Sequence, residues 1–165
     1  MISLANTAAT KILAALTAPT GLNSGIAALA QTANVSLGPI SNAQLFTGQI
    51  SSDIAEKAGD VKYTAVYVYC DKITNTLKEK FRSFSGRIRL AVEIRVSQDR
   101  LENIDQQLQL YTEAVTQVLN ANRGDWGQGL FYTGGYEVAF GPVKHGGRNF
   151  IKHATVTIEV DGSVN

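Results

Sequence analysis

Between Arg87 and Val96, apolar and charged side chains alternate. Ile88, Leu90, Val92, Ile94 and Val96 share one parity, and Arg87, Arg89, Glu93 and Arg95 share the other. A period of two is the mark of a strand. A strand with one apolar face belongs to a sheet that is packed on one side and wet on the other. The chain must therefore supply a second layer to cover that side. Just upstream, Tyr63 to Cys70 is apolar or aromatic on both faces, which predicts an interior strand. A polar stretch, Asp71 to Ser85, separates the two, and Gly86 opens the second strand.

The cover follows directly. Leu101, Ile104, Leu108, Tyr111, Val115 and Val118 recur at alternating steps of three and four, the stripe of one helix face. Ser97 and Asp99 announce the helix, Asp99 to Glu102 has capping-box spacing, and Asn122 and Gly124 stop it. Gly124 to Gly129 reads as a turn-rich connector. Leu130 to Tyr132 and Tyr136 to Phe140 read as a strand interrupted at Gly134-Gly135. A glycine-rich basic loop, Gly141 to Arg148, precedes a last strand from about Phe150 to Val160, with Ala154, Val156, Ile158 and Val160 inward. The expected fold is α+β: a four-stranded mixed or antiparallel sheet packed with a long helix, preceded by an N-terminal helical region and an extended arm.

That preceding region differs in kind. Residues 1–52 hold a single charged side chain, Lys11, whereas 53–165 hold the other 14 bases and all 14 acids. We divide the chain there. Asn6 or Thr7 would cap a helix over about 8–17 with Leu4, Ala8, Ile12 and Leu16 in one stripe, closed by Pro19 and Gly21. Asn23 or Ser24 would cap a second helix carrying Ile26, Leu29, Ala30 and Ala33. Residues 34–52, broken by Gly38-Pro39 and Gly48, read as an arm. A segment so poor in charge needs cover, either from its own domain or from another subunit, because charge depletion marks interface cores. No charged n-region precedes the short run Ile12 to Leu16, so a secretion signal is not expected, nor is a membrane span.

The chemistry-bearing residues do not converge. His145, His153 and Cys70 lack a zinc spacing, and no serine has a nucleophile-elbow setting. Neither Gly124-x-x-Gly127-x-Gly129 nor Gly146-Gly147 is a phosphate loop. One cysteine permits no internal disulfide, which suits a reducing compartment. Neither a metal nor a cofactor is expected. Asp71 with Glu93-Ile94-Arg95 loosely imitates the acid–acid-x-base array of metal-dependent nucleases, although arginine stands in the usual lysine place. Residues 72–100 gather Lys72, Lys78, Lys80, Arg82, Arg87, Arg89, Arg95 and Arg100 against Glu79, Glu93 and Asp99. Arg87, Arg89 and Arg95 share one strand face, and the helix after them carries Asp99, Glu102, Asp105 and Glu113. Three readings stay open: a solvated face, pairing of basic and acidic surfaces between copies, or contact with nucleic-acid phosphates.

The segments Ala65-Val66-Tyr67-Val68-Tyr69, Lys80-Phe81-Arg82-Ser83-Phe84-Ser85-Gly86 and Val92-Glu93-Ile94-Arg95-Val96-Ser97 resemble tail terminator (tail completion) proteins of long-tailed bacteriophages. So do Leu108 to Val115, Gly135 to Val138 and Thr155 to Val160, and the likeness spans roughly 53–161. It implies a virion protein of the tail neck, assembled in the host cytoplasm as a homo-oligomeric ring, a hexamer in the family. Such a ring caps the tail tube protein, halts tube polymerisation and presents a docking surface to the head-side connector, with DNA only as passing cargo and no reaction. Arg87, Arg89, Arg95, Asp99, Glu102 and Asp105 become candidates for the contact between copies. Lys144, His145 and Arg148 become candidates for contact with tube or connector. Another head–tail connector or neck adaptor, or a nuclease or nucleic-acid-binding module, are the competing expectations.

Overall fold

The computed structural model of the chain describes residues 2–51, 55 and 61–165. The expected junction of the two regions, at 52/53, lies outside the described residues. The fold is α+β, as expected, but the sheet has seven strands and not four. In chain order the elements are helices α1 (Ile2–Thr17) and α2 (Leu22–Ala33), a 3-10 turn at Asn42–Gln44, strands β1 (Leu45–Thr47), β2 (Ala65–Asn75) and β3 (Phe84–Gln98), helix α3 (Ile104–Ala121), and strands β4 (Gly124–Gly127), β5 (Leu130–Phe140), β6 (Lys144–Gly146) and β7 (Asn149–Val164). The strand order is β1-β2-β3-β7-β5-β4, with β6 paired to the start of β7. Among the described residues, only β1 and β2 run parallel.

The three additional strands fall where the sequence reads connectors. β4 occupies the expected connector after the helix, β6 lies inside the expected loop at Gly141 to Arg148, and β1 lies in the expected arm. Each is only three or four residues long; β1 is paired by the distant β2, while β4 and β6 form tight hairpins with the strand that follows.

β3 is the spine. It pairs along its whole length with β7 and along most of it with β2. Ile88, Leu90, Val92, Ile94 and Val96 are all buried on the helix side, opposite Val160, Ile158, Val156 and Ala154 of β7. α3 packs on β3 and β7, α1 on β2, and α2 on α3. Leu108, Tyr111, Val115 and Val118 lie in that core as the stripe predicts. Leu101 does not: it is exposed, because β3 continues to Gln98 and the helix begins only at Ile104. The expected Asp99–Glu102 capping box is therefore absent. Asn103, in the left-handed region, occupies the cap position instead.

The uncharged N-terminal region packs on its own chain. Ala8, Ile12 and Leu16 of α1 and Leu22 and Ile26 of α2 belong to the same core as the sheet. α1 starts at Ile2, earlier than expected, and α2 starts after Gly21, not after Asn23 or Ser24. At Gly21 a Cβ would meet carbonyl oxygens of Ala15 and Leu16 at 2.5 and 2.6 Å, so only glycine lets the chain turn this tightly between the helices. Asn23 is released from capping to clamp the arm: its side chain accepts from the Ile40 N–H (2.8 Å) and donates to the Ile40 carbonyl (2.9 Å). Tyr111 adds a bond to the Gly38 carbonyl and Gln44 one to the Thr64 carbonyl, both 2.9 Å. Among the described residues, no single helix is long and apolar enough to cross a membrane.

Because α1 shares the core, Ile12→Ala should lower unfolding free energy by about 2–5 kcal/mol. Thr10→Ala, on the exposed side of the helix, should cost well under half of that. Urea denaturation of the two variants checks this. Equal, small losses would mean that α1 is not part of the cooperative unit.

Candidate functional site

The side of the sheet away from the helices is where candidate residues collect. Arg87, Arg89 and Arg95 lie there on β3, Tyr67, Tyr69, Lys72 and Thr74 on β2, and Thr155, Thr157, Glu159 and Asp161 on β7. This face has two halves of opposite character.

One half is open. Arg87 reaches Glu159 (3.1 Å) and Asp161 (3.4 Å), and Arg89 reaches Asp71 (3.0 Å). All five side chains are about half exposed, a setting in which such pairs contribute roughly 0–1 kcal/mol each. Shallow clefts run across this half. One, of about 300 Å³, is lined by Lys72, Thr74, Thr76, Lys78, Arg87, Arg89 and Glu159, four cations against one carboxylate. Its neighbours, of about 320 and 250 Å³, carry Phe131 and Asp161 on one side and Thr133 and Glu137 on the other.

The other half is closed. Arg95 was expected on the wet face beside Arg87 and Arg89, but it is buried, and so is Glu93. The stretch Leu45–Ile50 makes the difference. Phe46 stacks on Tyr67 with ring centroids 5.0 Å apart, and the Arg95 guanidinium lies 4.3 Å from the same Tyr67 ring. Arg95 also donates to the Ile50 carbonyl and, at 2.6 Å, to Glu93 Oε1. Tyr69 donates to Glu93 Oε2 at 3.4 Å and receives a bond from Gln49. Arg95 is thus engaged inside the chain and presents nothing to a neighbouring copy. Aromatic rings interleave with this part of the basic face, supplied by β1 and β2, since β3 places no ring on this face.

The remaining candidates are scattered. Asp105 pairs with Lys152 of β7 across the helix–sheet junction. Among the described residues Asp99 and Glu102 have no ion pair; they sit in the turns between β3 and α3. Lys144, His145 and Arg148 sit together at the exposed tip of the β6–β7 hairpin, where the His145 ring meets Phe150 edge-on at 5.4 Å. For the nuclease-like set, the Glu93 carboxylate is engaged by Arg95 and Tyr69, while Asp71 pairs with Arg89. Glu93 and Arg95 line none of the clefts above. Among the described residues no group of three His, Cys, Asp or Glu side chains is placed to hold a metal ion. Cys70 is half-buried, and burial pushes its thiol above the ordinary value.

One feature escaped sequence reading. The β2–β3 loop, 76–83, carries Phe81 at 99% exposure, with φ of 67°, and Leu77 at 58% with φ of 45°. A bulky side chain in the left-handed region is an outlier that costs on the order of 1 kcal/mol or more. The loop lies at the opposite end of the strands from the Lys144–Arg148 tip, since β2 ends where β7 ends and β6 pairs where β7 begins.

Breaking the buried pair is expected to be costly, because the survivor is left charged without its partner. Arg95→Ala should destabilise by about 3–5 kcal/mol, and Arg95→Met with Glu93→Leu should recover most of that. Thermal denaturation reads both, and an equally damaged double variant would refute the pairing energetics. Alkali should act on the same region. Burial first, then the Glu93 and Asp71 carboxylates, push the Tyr69 hydroxyl up to about 12. Burial likewise raises Tyr67, Tyr111 and Tyr132, with Arg95 opposing it at Tyr67. The folded protein therefore holds these protons where the unfolded chain, near the ordinary value of 10.0, releases them. Stability is full below about pH 10 and should fall as pH rises toward 12. Phenolate absorbance should rise together with loss of ellipticity, and a titration complete before unfolding would contradict it.

The chain matches no protein-family model and no curated protein sequence.

Proposed function

We propose that the protein is a structural ring component of a long-tailed phage, closing the head-proximal end of the tail tube and offering the docking surface for the head connector. The observation that carries this reading is that the sheet ends in two unlike lateral edges, β1 with β2 on one side and β5 with β4 on the other. A cyclic ring needs two different patches on each copy, each complementary to the other. Unpaired strand edges are ready-made templates for such joining.

The resembling segments support it further, since they fall on β2, the β2–β3 loop, β3, α3, β5 and β7 of one sheet-and-helix layer. The two ends of the strands differ in chemistry. One end shows Leu77 and Phe81, the other Lys144, His145 and Arg148. A collar between two different neighbours uses two different rims. The open clefts are shallow, and their Arg87, Arg89 and Glu159 side chains are paired within the chain, which suits contact with a surface.

Light scattering and electron microscopy of the purified protein, alone and with tube subunits, test the reading. A closed oligomer that binds the tube end is expected. Phe81→Ser should leave the oligomer's mass unchanged and weaken binding of one axial neighbour by tenfold or more. Lys144→Glu with Arg148→Glu should do the same for the other neighbour. A chain that stays monomeric with tube subunits present would overturn the proposal. Binding only to head-side rings would make it a neck adaptor instead.

A further inference from the structure

We propose that copies of this chain join through interlocking sheet edges: β1 of one copy fills the unpaired stretch of β5 in its neighbour, while β4 of that neighbour fills the unpaired stretch of β2. This rests on the ring reading and specifies its joint.

The register across the sheet carries the argument. β1 pairs with β2 only at Val66–Val68, and the last bond on that side runs from the Gly48 N–H to the Val68 carbonyl. From Cys70 to Asn75, no strand among the described residues lies along that side of β2. β4 pairs with β5 only at Leu130–Tyr132, so among the described residues no strand lies along the outer side of Tyr136–Phe140. Each edge is thus a tongue beside a notch.

The tongues and notches are level with one another. Thr47 pairs with Val68, Val68 with Val92, Val92 with Val156, and Val156 with Val138. The row through Leu45 and Val66 ends in the same way at Phe140. β1 therefore stands at the height of the β5 notch. From the other edge, Gly124 pairs with Tyr132, Tyr132 with Val160, Val160 with Ile88, and Ile88 with Ile73. β4 therefore stands at the height of the β2 notch. When copies repeat around an axis along the strands, both notches fill at once. The directions also agree with ordinary pairing: β1 meets β5 antiparallel, and β4 meets β2 parallel.

The chemistry of the flanks fits a second copy. Tyr136 and Phe140, on the helix side of β5, are left 44% and 51% exposed among the described residues. The neighbour's α1, seated on its β2, would lie over them. Beside the β2 edge, α1 turns Ala5, Asn6, Ala9 and Thr10 toward an open cleft of about 530 Å³ that reaches Cys70 and has no charged lining. The charge-poor N-terminal region is thereby placed at the joint, which explains a composition that the core of a single copy does not require.

The test uses the full chain with Cys70→Ser. Thr47→Cys with Val138→Cys, treated with a short bis-maleimide, should yield a ladder of covalent multimers. Thr47→Cys with Phe131→Cys, whose second site lies near the other end and on the other face, should stay at the background of Cys70→Ser alone. In a separate variant, Tyr136→Asp with Phe140→Asp should convert the ring to monomer while circular dichroism stays native. A ring that forms without the Thr47–Val138 ladder and survives the Asp variant overturns the interlock and leaves the ring reading standing. A wild-type chain that is monomeric at every concentration, with or without tube subunits, overturns both.

Discussion

The structure depends on the two-faced character of β3. Its apolar row can be buried only if helices cover one side of the sheet, and α1 and α3 do so. Its charged row then has to be reconciled with the other side. Where that side is open, Arg87 and Arg89 find partners on the flanking strands at little cost. Where Leu45–Ile50 crosses it, the same kind of residue has to be buried, and Arg95 is held by Glu93, the Ile50 carbonyl and the Tyr67 ring together. A buried pair of this kind is weak evidence for stability and better evidence for a fixed arrangement, because its geometry permits few alternatives. It pins β1 against β2 and so fixes where one edge of the sheet stops.

Much of this is legible in the chain. The alternation over Arg87–Val96, the stripe from Ile104 to Val118 and the inward row of the last strand each follow from a local period that burial imposes. So does the α1 stripe, because Ala8, Ile12 and Leu16 recur every four residues. The features that escape are too short to show a period or are set by distant partners. β1, β4 and β6 have no period to read in three or four residues. The capping-box pattern at Asp99 is a local preference that loses to the pairing of β3 with β7 through Gln98. Arg95 looks the same as Arg87 in sequence. Only an acid two residues before it on the same face, with Tyr67 and Tyr69 on the neighbouring strand, hints at a different environment.

The candidate site residues show the same division. Lys144, His145 and Arg148 gather at a hairpin tip because the glycines around them suit a turn. Phe81 carries no periodic signal, since a lone aromatic in a polar stretch is ordinarily read as partly buried. Its exposure is visible only once the strands on either side are seen to project it. The acids Asp99, Glu102 and Asp105 stand close in sequence, yet Asp105 turns to Lys152 and the other two stay in the preceding turns.

The two tips give the molecule a direction. In the proposed ring, strands joined side by side in one orientation would carry that direction with them, giving a washer with a greasy side and a cationic side. Such an object cannot be flipped without exchanging its contacts. Stacking two of them like to like would bring cation against cation on one side or oily loop against oily loop on the other. On that proposal the left-handed backbone at Phe81 would act as an arrowhead, marking which way up each piece sits.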